Sequence, residues 1–395
     1  ALLASRLISG DPGLRSFSPR AFTTAIPNDG YFDILMSVPA SSTGAAVEAA
    51  SRAFHNASFP LDRLESERAN LSGVPGGARG NGRGSAATAE ARSRVLRAVA
   101  PSWITSDPSA PDAFARVDEK EERAFFLRHL RGGALTVSLA GPSEPDQSLD
   151  VVAEAFRRLP NGAPVSRSGG RSDESGAGRR AAVTSVPPVE ERLSLAGEPQ
   201  VTVLAGLPGV RHDHPDRRAL DLLNYIAGVP SYGGSLGWAL TKTGLTYSSA
   251  ATTTFGATTG HMLFSTKCDT KNLASTIQAI REVIAGIGER GVDEWELREA
   301  QSFTLGRALL YGPREDSGED AIAAALLDSE FFGEELLDLP ALSRATLGVT
   351  LAQINAVARR YYRPALLKIV ALGALRAGSP LAIFPANTFR SLFEP

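Results

Sequence analysis

The sequence predicts an α+β protein of two homologous domains, each an antiparallel sheet covered by helices. Three observations lead there. Residues 117–141 recur in pattern at 349–373, a constant offset of 232 (349 − 117), so the chain reads as one unit written twice. Runs of strand length lie beside runs of helical spacing without the strict alternation that builds a parallel sheet. Between the two copies, Ser166-Arg167-Ser168-Gly169-Gly170-Arg171-Ser172 and its neighbours are too polar and glycine-rich to pack. These place a first domain at residues 1–160, a flexible linker at 161–195 and a second domain at 196–395.

The first copy opens with a strand at 31–38, a helix at 44–54 and a further helix from about Leu61. Residues 73–84 are rich in glycine and hold no carboxylate. No strand leads into them and no Gly-Lys-Ser/Thr follows, so a disordered loop is read there rather than a phosphate cradle. The repeat itself starts with capping-box spellings, Asp118 with Glu121 and Thr350 with Gln353. Each following helix closes on cations that its dipole favours, Arg128-His129-Leu130-Arg131 in one copy and Arg360-Tyr361-Tyr362-Arg363 in the other. Apolar strands then run over Ala134 to Ala140 and Leu366 to Leu372, stopped by Gly141 and Gly373.

The second copy is the more plainly patterned. A strand is expected at 201–205, and Leu220, Leu223 and Ile226 mark a helix over 218–227. Residues 250–255 and 262–267 read as a strand pair around a turn at 256–260. Leu273, Ile277, Ile280, Ile284 and Ile287 form the apolar face of a long helix that ends at Gly288-Glu289-Arg290-Gly291. Asp293 and Glu296 spell another capping box, opening a helix towards Leu310. One sheet face covered by these helices completes the domain.

Composition narrows the function. A chain of 395 residues, 43% hydrophobic, can bury two cores, and a formal charge of −2 without a basic, aromatic-interleaved stripe argues against nucleic-acid binding. No apolar run approaches the roughly 20 residues needed to span a bilayer. The single Cys268 excludes an internal disulfide and a thiolate cluster, and reads as a core residue. The chain does not begin with methionine, which points to processing or trimming, and Ala1-Leu2-Leu3-Ala4 is too short for a signal peptide. Richness in alanine, arginine and glycine fits a bacterial source, hence the periplasm rather than the mitochondrion, with the compartment itself left open.

Candidate chemistry is sparse. The histidines are His55, His129, His212, His214 and His261, and none stands in metal-ligand spacing on a helix. His212-Asp213-His214 could bind a metal through alternate residues, but follows Leu207-Pro208-Gly209 and precedes Pro215, so a solvated loop is expected. The charged run 314–320 reads as a helix break with an acidic cap, and Trp238 as a core residue.

At residues 233–248, Gly-Gly-Ser-Leu-Gly-Trp-Ala-Leu-Thr-Lys-Thr-Gly-Leu-Thr-Tyr-Ser, the chain resembles the pitrilysin-like M16 metallopeptidase family, whose relatives include mitochondrial processing peptidase. The long helix, Val292-Asp293-Glu294-Trp295-Glu296-Leu297 and Tyr361-Tyr362-Arg363-Pro364 follow in the family's order. The resemblance spans 198–373 and, more faintly, 29–160. It implies LuxS/M16-type domains facing each other across a peptide-holding chamber, the second of the inactive C-terminal type.

Family members that cleave peptides carry H-x-x-E-H on a first-domain helix, with a glutamate as third zinc ligand. This sequence has no such motif, and no Asp or Glu between Glu67 and Glu90. The family also pairs an arginine with a tyrosine seven residues on, gripping the substrate carbonyl. Tyr247 matches the tyrosine and is the one substrate-binding candidate. The arginine's place falls on Leu240, or on Thr241 if one residue is deleted, with Lys242 nearby.

The resemblance therefore implies a non-catalytic subunit of the M16B type, with no catalytic or metal-binding residue and no cofactor of its own. It would complete the chamber of a zinc-bearing M16 subunit in a heterodimer and share its peptide substrate. Two other readings stay open: a zinc endopeptidase whose H-x-x-E-H segment lies outside this sequence, and a scaffold subunit of a larger assembly.

Overall fold

The computed structural model describes residues 22–27, 32–55, 64–66, 82–100, 117–129, 131–141, 145–159, 190–194, 199–228, 233–257, 259–311, 319–333 and 339–375. The glycine run at 76–80, most of the linker, the 314–318 part of the charged run and most of the helix expected from Leu61 lie outside them. No described helix is long and apolar enough to cross a membrane.

The first half contributes strands β1 (Phe22–Pro27) and β2 (Phe32–Ser37) and helices α1 (Thr43–His55), α2 (Gly82–Val99), α3 (Glu119–His129) and α4 (Pro145–Phe156). The second half holds a five-stranded sheet in the order β3-β7-β4-β6-β5. Its strands are β3 (Glu190–Ser194), β4 (Gln200–Pro208), β5 (Thr246–Phe255), β6 (Gly260–Asp269) and β7 (Lys368–Gly373). All neighbours pair antiparallel except β3, which runs parallel to β7.

Alternation along β4 sorts its side chains. Val201, Val203, Ala205 and Leu207 enter one core while Leu204 enters another. Against the first face pack α5 (Arg217–Ala227), α7 (Leu273–Glu289) and α11 (Leu351–Tyr361). The five α7 residues expected to face the core are all buried there. Asp293 and Glu296 exchange reciprocal bonds of 2.8 and 2.9 Å at the start of α8 (Glu294–Tyr311). Thr350 and Gln353 do likewise before α11, while Asp118 accepts from the Glu121 amide at 2.7 Å. Helices α9 (Glu319–Phe332) and α10 (Leu339–Leu347) complete this half.

The sheet departs from the sequence reading in two ways. Residues 190–194, assigned to the linker, are an edge strand. Their charges mislead because an edge tolerates charged side chains, and here Glu191 meets Arg94 at 2.8 Å while Glu190 pairs with Arg281. The sheet is also covered on both faces rather than one. Helix α2, part of which was read as a disordered glycine-rich loop, lays Ala91, Val95 and Val99 on Leu204, Leu263, Val370 and Leu372. Ala87, Ala91, Val95 and Val99 stand four residues apart, a stripe that runs along one helix face and was available in the sequence.

Gly206 is what allows α2 so close: a Cβ there would lie 2.4 Å from a Val95 methyl. Gly206→Ala is expected to destabilise the fold by about 1–3 kcal/mol through overpacking. Urea denaturation measures it, and Val95→Ala in the same chain should recover part of the loss. An unchanged midpoint in the single variant would mean that α2 does not sit on this face.

The two halves share a sequence of local structures. The β1–β2 hairpin leads through a 3-10 turn at Ala40–Ser42 into α1, and the β5–β6 hairpin leads through Thr270–Asn272 into α7. Helix α3 is followed by a 3-10 turn at Gly132–Ala134 and α11 by one at Pro364–Leu366, at the expected spacing of 232 (351 − 119). The repeat breaks at its last element. Residues 368–373 form a wholly buried strand with a partner on each side, whereas 135–140, expected as a strand, join no sheet. Leu135 is extended, but Val137 and Leu139 stay 39% and 36% exposed. The Ser138 hydroxyl ties the stretch down by donating to the Ala323 carbonyl of α9 at 2.7 Å. A strand needs a neighbour to take its backbone hydrogen bonds, and no described strand lies beside this one.

Candidate functional site

Residues 233–249 form the most irregular stretch of the second half. Gly234 turns at φ +68 into a short helical turn, α6 (Gly234–Leu236), which widens into a π-helical turn over Gly237–Lys242. The Leu245 amide donates to the Leu240 carbonyl at 2.9 Å, the five-residue bond of a π turn. Thr243 Oγ1 donates to the Ala239 carbonyl at 2.8 Å, and Gly244, at φ +74, releases the chain into β5. Asn272 Nδ2 reaches the Leu245 carbonyl at 3.5 Å from the turn after β6.

Strand β5 then starts with a bulge. Thr246 pairs with Cys268 and Ser249 with Thr266, so Tyr247 and Ser248 together oppose Lys267. Thr246 and Ser249 point into the core, and Thr266 Oγ1 donates to the Ser248 carbonyl at 2.7 Å. A bulge re-aims the side chain it carries, and Tyr247 is left 79% exposed on the edge strand.

Burial decides between the two places open for the family's arginine. Leu240 is 1% exposed within the core beside Leu236, so it is a packing leucine. Thr241 is half-buried, its hydroxyl lacking a hydrogen-bond partner among the described residues. Trp238 corrects the sequence reading. It is 66% exposed rather than packed in the core, with Lys242 Nζ 5.6 Å from its ring centroid. The core was only the default place for so large an aromatic, and the turn that carries Trp238 leaves it on the outside.

The histidines are not brought together. His212 is buried rather than solvated, stacked on Phe332 of α9 at 3.7 Å and 7°, and its amide donates to the Gly256 carbonyl at 2.9 Å. His214 Nδ1 accepts from the Asp216 amide at 3.1 Å. Asp216 ties this loop to α11 by accepting from Arg360 at 2.5 Å and from the Tyr361 hydroxyl at 3.0 Å. His55 Nδ1 stays within α1, 2.7 Å from the Ser51 carbonyl, and His129 lies against Phe125. His261, on β6, is 1% exposed, and burial, aided by the Arg92 charge, pushes its pKa down to about 4.

Among the described residues no group of three or more His, Cys, Asp or Glu side chains could hold a metal ion. These residues offer no ligand set for the zinc that cleaving members of the resembled family carry. Cys268 is buried, its thiol pKa raised chiefly by desolvation. What the region offers instead is an exposed indole with an ammonium group beside it and, at the start of β5, an exposed phenol.

Residues 116–303 match the family model described as the peptidase M16 inactive domain. Over these 188 residues (303 − 116 + 1), just under half of its length, the chain is similar to the M16 inactive domain. Solved structures agree in fold. A peptidase M16 inactive domain from Pseudomonas fluorescens is 16% identical, with a TM-score of 0.69, over 96% of this chain and 89% of that one. A chain of complex III2 from Candida albicans is 12% identical with a TM-score of 0.68, over 96% and 87%. A protease from Helicobacter pylori is 12% identical with a TM-score of 0.67, over 94% and 89%. At such identities the likeness is one of fold. No curated protein matches the chain.

The matched residues include the whole of the region around Tyr247. They hold the β5–β6 hairpin and long helix that the sequence predicted, with Tyr247 at the start of that hairpin.

Proposed function

We propose that this chain is a non-catalytic M16 subunit that completes the peptide chamber of a zinc-bearing M16 partner, as in the M16B type. The observation that carries the reading is Tyr247, 79% exposed at a bulge within the inactive domain, where a structural tyrosine would be buried. A phenolic hydroxyl so presented can donate to a peptide carbonyl as negative charge gathers on its oxygen. The recurrence of hairpin, 3-10 turn and helix in both halves supports a duplicated domain around one chamber.

Cleavage of an unstructured peptide is expected only when the chain is mixed with an M16 subunit that carries H-x-x-E-H. Metal analysis should find zinc in that subunit and none with this chain alone. Chelator-sensitive cleavage by this chain alone would replace the proposal with that of a zinc endopeptidase. A stable complex that never cleaves would favour the scaffold reading.

A further inference from the structure

Helix α2 comes from the first half of the chain and covers one face of the second half's sheet. Its seat there is slight. It meets Leu204, Leu263, Val370 and Leu372 with alanine and valine side chains alone, whereas α7 lays a leucine and four isoleucines on the opposite face. Smaller side chains remove less apolar surface from water, so α2 is the more weakly held of the two.

The face that α2 covers also holds a buried group that can change charge. His261 stands on β6 two residues from Leu263, hence on the same side of the sheet, and the residues paired with them on β4 are Pro208 and Gly206. Gly206 is where Val95 and Val99 of α2 come closest. His261 is buried, and the Arg92 charge of α2 adds to that burial in keeping the imidazole neutral.

The other charged groups of this face follow from the register. Lys368 of β7 lies opposite Gly206 and is buried, while Lys267 is exposed at the far end of β6. Glu191 of β3 meets Arg94 of α2 at 2.8 Å, and Arg97 of α2 donates to Ser93. Strand β4 carries no titratable side chain and β5 only Tyr247, near its start. On the loop after β4, Arg211 pairs with Asp213 at 2.6 Å, and His212 and His214 lie as described above. A proton on His261 would thus add a cation to a face that already holds Arg92 and Lys368, in a place shut off from water. Departure of α2 relieves this, because the imidazolium is then hydrated and Arg92 moves away.

We propose that α2 is an acid-released cover: protonation of His261 detaches it from the sheet and uncovers Leu204, Leu263, Val370 and Leu372 while the opposite core stays folded. This device is independent of the chamber reading and operates in the chain alone.

Hydrogen exchange read by mass spectrometry on the full chain, at pH 7.5 and pH 5 and corrected for the chemical exchange rate, tests it. Peptides from α2 should open more readily than peptides from α7 at both pH values. Acidification should raise the α2 opening equilibrium about 30-fold, the linkage expected for a histidine whose pKa climbs from about 4 to 6.5 on release. His261→Gln should abolish the rise. Arg92→Gln, at an exposed position of α2, should reduce it, and carries the test alone if His261→Gln fails to fold. One common opening equilibrium for α2 and α7 would mean that α2 leaves only when the whole half unfolds, which overturns the proposal. So would an α2 unaffected by acid, or a rise undiminished in either variant.

Discussion

Tyr247→Phe, assayed in the reconstituted pair, is expected to lower turnover about 10²- to 10³-fold, the usual cost of removing one donor to a developing oxyanion. The ring is 79% exposed, so the loss should come from the hydroxyl rather than from packing, and the thermal midpoint should not move. The fall should appear in kcat more than in KM, because the donor acts where charge develops. Thr241→Arg is the variant that can restore a cation beside it. Leu240→Arg cannot, since a guanidinium at a position 1% exposed would have to enter the core. Turnover unchanged by Tyr247→Phe would leave this chain without an oxyanion donor and make it a scaffold.

Acid should loosen the chain well before its carboxylates are exhausted. His261 has a folded pKa of about 4, below the ordinary value of 6.5. A depressed histidine contributes stability above its unfolded pKa and loses it as pH falls through the interval from 6.5 to about 4. The full contribution is about 3 kcal/mol, of which about 2 kcal/mol should be gone by pH 5. Urea midpoints at pH 7.5 and pH 5 check this, with His261→Gln as the companion. Carboxylate ion pairs titrate in both proteins, so the steeper fall of the parent chain isolates His261. Equal pH dependence in the two would show that His261 is not buried neutral. Arg92 contributes to the depression, so loosening α2 should raise the pKa and flatten the slope.

Much of the second half was legible because its elements announce themselves locally. The α7 stripe, the capping boxes at Asp293 and Thr350 and the β5–β6 pair depend on neighbours a few residues away, and each appears where the sequence placed it, while Asp118 caps α3 by a single bond to the Glu121 amide. The repeat was legible in the same sense: α3 and α11, with the 3-10 turns behind them, need only local signals. Tyr247 could be singled out by motif, but its presentation could not. A π turn and a bulge are register faults, and they arise from how Leu240 and Thr246 are drawn into the core.

The sequence alone determined the α+β class, the helix boundaries set by caps and glycines, and the absence of an H-x-x-E-H spacing within these 395 residues. Tertiary structure decided the rest, because it brings together residues whose spacing carries no signal. It turned charged residues 190–194 into an edge strand by supplying β7 as neighbour, and left 135–140 unpaired for want of one. It placed α2 on the second face of the sheet across Gly206, where a single missing methyl makes the room.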